Sequence, residues 1–121
     1  MILFLFLFKV VGAQARHILV LTASETSWSV LFDAEILKPL DTVVIFGSQF
    51  KLDIGSTVNL YHTINRVKNC IEAGVTVILI DLEDLHDALY DMLNQRYTRI
   101  GKRLYCRIAM VKKCSFCFFY T

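Results

Sequence analysis

Six consecutive β-favouring residues, Val75-Thr76-Val77-Ile78-Leu79-Ile80, run straight into Asp81-Leu82-Glu83-Asp84. This junction constrains the fold more than any other stretch of the chain. An apolar run of that length without polar alternation suits a strand covered on both faces, the habit of parallel sheets. Thr42 to Phe46 (TVVIF) repeats the pattern between Asp41 and Gly47-Ser48, and His17 to Thr22 (HILVLT) is a third apolar run of strand length. Between these runs the apolar period lengthens to that of a helix. Ser24 and Glu25 open a segment with Trp28, Leu31, Phe32 and Ile36 on one side, which Pro39 ends. Ser56 or Thr57 caps a helix whose inward face is Leu60, Ile64, Val67 and Ile71, with Gly74 as its stop. Leu85, Leu89, Met92, Leu93, Tyr97 and Ile100 form a third helical stripe closed by Gly101, and Leu104 to Val111 reads as a fourth strand. Strand and helix alternate three times before that last strand. The pattern predicts an α/β fold: a parallel sheet with flanking helices and right-handed crossovers.

A chain of 121 residues holds one domain and can bury a core without disulfide staples. Its 55% apolar and 20% charged content excludes disordered and low-complexity classes. Thirteen basic against eleven acidic residues leave a net charge of +2, too little to imply a nucleic-acid or membrane partner from bulk charge. The basic stretch Lys102, Arg103, Arg107, Lys112 and Lys113, with Tyr105 interleaved, reads as a charged strand face rather than an RNA surface.

The two ends differ from the middle. Residues 1–15 form an apolar leader, with Ile2 to Phe8 followed by Lys9 and Ala13-Gln14-Ala15, which partly matches a secretory signal but lacks a basic residue before the apolar run. It is too short to span a bilayer, which takes about 20 apolar residues. Residues 112–121 form an apolar tail containing Cys114-Ser115-Phe116-Cys117. One such pair is half a zinc site, and His17, His62 and His86 are scattered too far in sequence to complete it. The expected core therefore runs over residues 16–111.

Ligands of parallel α/β sheets bind beyond the carboxyl ends of the strands. Thr22 to Ser24, Gly47 to Gln49, and Asp81 to Asp84 are the segments that fall there. Acids directly after a buried strand occupy the position of a Walker B motif, whose aspartate helps hold magnesium in P-loop nucleotidases. Asp81 fits that position and Glu83 stands one residue late. The competing explanation is that Glu83 and Asp84 are first-turn acids favoured by the dipole of the next helix. The phosphate loop GxxxxGK[ST] that should accompany a Walker B acid is absent, for none of Gly12, Gly47, Gly55, Gly74 and Gly101 precedes Lys-Ser or Lys-Thr. Ser24, Ser48, Cys70 and Cys106 lack a histidine in any recognisable nucleophile motif. No catalytic and no metal-ligating residue is assigned from the sequence.

Ile64-Asn65-Arg66-Val67-Lys68, Cys70, Glu72, Gly74 and Thr76-Val77, continuing through Leu82, Leu85, Leu89-Tyr90-Asp91 and Leu93-Asn94-Gln95, resemble the mysterin family of giant AAA+ ATPases and RING-type ubiquitin ligases. The likeness extends upstream through Ile45-Phe46-Gly47-Ser48 to Arg16-His17 and covers roughly residues 16–108. It implies a partial P-loop (AAA+) core lacking its phosphate loop, with Asp81 and Glu83 in a degenerate Walker B region as the cofactor-binding candidates. ATP and magnesium are implied for the parent family, and tight binding of either by this chain is not expected. The implied partners are the rest of the parent AAA ring and, through the parent, enzymes of the ubiquitin pathway, in a cytoplasmic setting without nucleic acid or a membrane span. The function implied is that of a piece of an ATP-dependent remodelling ubiquitin ligase, inactive alone. Two other readings stand beside it: a stand-alone α/β binding module with an acidic crevice, and a small secreted protein cleaved after Ala15.

Overall fold

The computed structural model describes residues 2–6, 17–24, 26–48, 50, 53, 56–109 and 114–119, the first and last of these stretches as backbone. The Ala13-Gln14-Ala15 motif, Glu25, Gln49 and Lys112-Lys113 lie outside the described residues. In chain order the elements are β1 (Ile2–Phe6), β2 (His17–Leu21), α1 (Ser29–Asp33), a 3-10 turn (Pro39–Asp41), β3 (Thr42–Phe46), α2 (Thr57–Ala73) and β4 (Thr76–Ile80). There follow α3 (Leu85–Ala88), α4 (Tyr90–Leu93), β5 (Tyr97–Ile100), β6 (Arg103–Ala109) and β7 (Cys114–Phe119).

The fold is α/β, built around β4. All five residues of β4 are buried, as an apolar strand without alternation requires. β3 lies parallel to it in register, Thr42 opposite Thr76 through Phe46 opposite Ile80. Val77 and Leu79 face one core with Ile45 of β3, Ile64, Val67 and Ile71 of α2, Leu85, Leu89 and Met92, and Cys106 and Ile108 of β6. Ile78 and Ile80 face the other way, onto Leu37, with Trp28, Leu31 and Phe32 packed against them. Period-two alternation thus splits one strand between two cores.

α2 follows the expected signals closely. Ser56 Oγ accepts a hydrogen bond from the Asn59 N–H at 3.5 Å, and Gly74 takes φ 70° beyond the last turn. The Val75 N–H reaches the Cys70 carbonyl and the Gly74 N–H the Ile71 carbonyl, the paired bonds of a Schellman ending. α1 and α4 end the same way without glycine, on Glu35 and Gln95 at φ 55°.

Four expectations from periodicity are corrected. The sheet around β4 is mixed, in the order β2-β1-β4-β3, because β1 inserts antiparallel between β2 and β4. β2 still points the same way as β3 and β4, but as the edge strand it leaves Ile18, Leu19 and Leu21 exposed instead of burying them. The helical stripe does not reach Ile100. Gln95 closes α4, and Tyr97 to Ile100 pairs antiparallel with β6 across Gly101-Lys102. A two-residue hairpin loop favours glycine at its first position, and Gly101 sits there at φ 63°. Consequently β6 is not a fourth strand of the parallel sheet. It is the centre of a second, antiparallel sheet, β5-β6-β7, whose inner face closes the larger core.

Candidate functional site: an acidic crevice at the strand ends

The carboxyl ends of β3 and β4 lie side by side, and their register sets how close the chains come. The Gly47 N–H donates to the Ile80 carbonyl at 2.7 Å. A Cβ on residue 47 would collide with the Asp81 carbonyl, so glycine is needed here for space. Asp81 itself turns the chain at φ 53°, a left-handed conformation that aspartate tolerates better than most residues.

Beyond these ends opens a crevice of about 880 Å³. Gly47 and Ser48 line it from β3, and Asp81, Leu82, Glu83 and Asp84 from β4. The structure thus brings together two of the three segments expected at the strand ends. The third, Thr22 to Ser24, is not among the lining residues, because β1 separates β2 from β4.

α2 forms the opposite wall through Ser56, Thr57, Asn59 and His62, and Asp53 and Asp87 complete the lining. Sequence reasoning missed Asp53, Asn59, His62 and Asp87 as crevice residues. The only signal for them was the cap at Ser56, which places the start of α2 beside the strand ends. Ser48 Oγ donates to Asp53 Oδ2 at 2.7 Å and accepts from the Phe50 N–H at 3.3 Å, and the Asp53 carbonyl accepts from the Ser56 N–H at 3.0 Å. These bonds lead the chain from β3 into the α2 cap.

Asp81, Glu83 and Asp84 are exposed. Asp84 is the N-cap of α3 without a side-chain cap hydrogen bond, and α3 has four residues, so the dipole that would favour Glu83 and Asp84 is short. The Glu83 carbonyl accepts from the His86 N–H at 3.0 Å. His62 is exposed and His86 half-buried.

Among the described residues the lining holds five carboxylates, Asp53, Asp81, Glu83, Asp84 and Asp87, and no lysine or arginine. A nucleoside triphosphate does not fit this wall unaided, since its phosphates need cations or a glycine-rich nest of N–H groups. Among the described residues no group of three or more His, Cys, Asp or Glu is gathered to hold a metal ion. Magnesium held by one or two carboxylates draws its remaining ligands from water and substrate phosphates.

The basic stretch lies elsewhere. Arg103 and Arg107 face out from β6 while Cys106 and Ile108 face in, and Arg107 Nε binds Asp91 Oδ2 at 2.9 Å. Arg96 stacks over Tyr90 at 5.2 Å and reaches Asp91 at 3.6 Å. These are contacts of a solvated, charged strand face, and none of these arginines lines the crevice. No helix among the described residues is long and apolar enough to cross a membrane.

The family model described as the RNF213 AAA domain matches residues 9–119. The chain belongs to the RNF213 AAA domain family. It is 36% identical over 99 residues to the E3 ubiquitin-protein ligase RNF213 of Mus musculus, covering 82% of this chain. The Homo sapiens ligase of that name is 37% identical over 98 residues, or 81% of the chain. The rnf213-beta ligase of Danio rerio is 29% identical over 104 residues, or 83%. In each case the chain spans about 2% of the relative's length.

Proposed function

We propose that this chain is one part of the AAA module of a mysterin-like ubiquitin ligase, in which it forms the acidic wall of a nucleotide site whose phosphate-binding groups lie on another part of the ring. Asp81 and Glu83 are the degenerate Walker B acids of that wall. They would hold a magnesium ion, directly or through its waters, and so supply charge compensation for a substrate phosphate there. Ser48, tied to Asp53, and the capped start of α2 set the opposite side. ATP-driven remodelling and ubiquitin transfer belong to the parent, and the fitting partners are the remaining AAA elements and, through them, enzymes of the ubiquitin pathway in the cytoplasm. Residues 16–111 are the AAA core in this reading, within a family match that runs over residues 9–119.

The observation that carries this reading is the crevice itself, set by β3, β4 and α2 at the carboxyl strand ends, with five carboxylates and no lysine or arginine among the described residues of its lining. Charge of that kind needs a cationic complement from outside. Calorimetric titration of the purified chain with magnesium-ATP tests it. No saturable binding at millimolar nucleotide is expected. Saturable binding lost in Asp81→Asn would mean that the chain completes a site alone, which sinks the partial-wall reading and favours a stand-alone binding module.

A further inference from the structure

The β6–β7 ladder places Cys106 directly opposite Cys117. Directly opposed residues of an antiparallel pair lie on the same face with Cα atoms about 4.5–5.5 Å apart, whichever of the two pair types they occupy. A disulfide needs about 4.4–6.8 Å between the same atoms, and the Cα spacing of either pair type falls in that range. We propose that Cys106 and Cys117 are a redox couple, closing into a cross-strand disulfide under a disulfide oxidant such as oxidised glutathione and reopening under excess thiol.

The ladder also decides against the pairing that the sequence offers first. Cys114 and Cys117 are three residues apart in an extended strand. That spacing puts them on opposite faces and about 10 Å apart, beyond the reach of a disulfide or of a shared metal ion. Cys114 stands opposite Ala109, which has no sulfur to offer. Cys70 and Cys106 are free, and both are buried in the larger core. Burial, with the Asp91 carboxylate nearby, also holds the Cys106 thiol well above its ordinary range, so its thiolate is scarce at neutral pH and exchange there is slow. A buried couple that exchanges slowly suits a staple rather than a catalyst.

The chemistry balances without a metal. The two thiols give up two protons and two electrons, and the Cys106 Sγ–Cys117 Sγ bond forms through a mixed disulfide. The sulfur–sulfur bond of oxidised glutathione breaks to give two glutathione thiols. The product locks the central strand of the second sheet to β7.

Trypsin separates the candidates, because Arg103, Arg107 and Lys113 are cleavage points that yield the peptides 104–107 and 114–121. The full chain is reduced, treated with oxidised glutathione, alkylated, digested without reductant and mapped by mass spectrometry. The expected product joins the two peptides, minus two hydrogens, with fragmentation placing the bond at Cys117. Cys114→Ser should leave that product intact and Cys117→Ser abolish it. Oxidation should raise the melting temperature of Cys114→Ser by about 10 °C, from the loop closed in the unfolded chain, and dithiothreitol should reverse it. A Cys114–Cys117 link, a link to Cys70, thiols that stay free, or a crosslink without a thermal shift would each overturn the proposal. Mapping the unsubstituted chain keeps it refutable if a variant fails to fold.

Discussion

Gly47→Ala is the sharpest probe of how the crevice is built. The added methyl meets the carbonyl of Asp81, a backbone group with no rotamer to move aside. Relief requires the end of β3 to shift away from β4, which breaks the 2.7 Å bond from the Gly47 N–H to the Ile80 carbonyl. Ile80 is 2% exposed, so its carbonyl loses its partner where water does not replace it readily. An unsatisfied buried group costs about 1–3 kcal/mol, and forcing a packed backbone apart adds about 1–3 kcal/mol. The expected loss is therefore about 2–6 kcal/mol, a large share of the roughly 5–15 kcal/mol that holds a domain. Urea unfolding of the two proteins, read at unchanged m-value, measures it. A loss below about 0.5 kcal/mol, the range of neutral surface changes, would refute the close approach. Gly74→Ala is the control for mechanism. Nothing lies within 4 Å of its Cβ position, yet φ is 70°, so its cost comes from strain alone and amounts to about 1–2 kcal/mol.

Gln95→Gly should stabilise the chain by about 0.5–1 kcal/mol in urea unfolding, because it removes a left-handed non-glycine residue from the end of α4 and leaves both Schellman bonds in place. Ser56→Ala removes the α2 cap and should cost about 1 kcal/mol by the same assay. Burial pushes the Cys106 thiol from 9.0 to about 11, with the Asp91 carboxylate adding to it. The thiol is then protonated in both folded and unfolded chains below pH 9. Above pH 9 the unfolded chain loses its proton first, so stability falls as pH rises through about 11, by roughly 2–3 kcal/mol. Cys106→Ala should flatten that part of the stability–pH curve. The exposed Leu21, Ile36, Leu40 and Phe50 leave apolar surface uncovered, so light scattering of the isolated chain should show concentration-dependent self-association; a strictly monomeric solution would contradict it.

The elements around β4 were legible because each had one dominant physical signal. β4 had an unbroken apolar run, β3 a β-branched one, and α2 a cap, a stripe and a glycine stop. The crevice was legible in outline for the same reason, since parallel strands deliver Gly47-Ser48 and Asp81-Asp84 to one edge. Tyr97 and Ile100 were misread because their spacing from Leu93 continues a helical stripe, and three or four residues of strand carry too little alternation to contradict it. The decisive signal was the Gly101-Lys102 hairpin turn after Tyr97-Thr98. The apolar run that holds β1 was read as a leader, and its place between β2 and β4 had no local signature, because the order of strands in a sheet is set by pairing across the fold. Asp53 and Asp87 reach the crevice from a loop and from a helix, and their neighbours in sequence say nothing of that meeting.

The small net charge conceals a segregation that bears on the proposed role. Carboxylates gather at the strand ends of the first sheet, while Arg96, Arg99, Lys102, Arg103 and Arg107 are exposed on α4, β5 and β6 or the turns beside them. Arg96 and Arg107 share the single carboxylate of Asp91. These two arginines are therefore committed to α4 and are not among the residues lining the crevice. Arg107 lines a smaller pocket with Asp87 and Asp91, but its Nε is held by Asp91 at 2.9 Å, and exposed charges more than about 10 Å from the acids are largely screened at physiological salt. Bringing a polyphosphate beside them without intervening cations adds repulsion that grows as water is excluded. A site that draws its cations from a neighbouring element meets both conditions. It keeps the acids solvated while the partner is away and pairs them when phosphate, magnesium and partner assemble together.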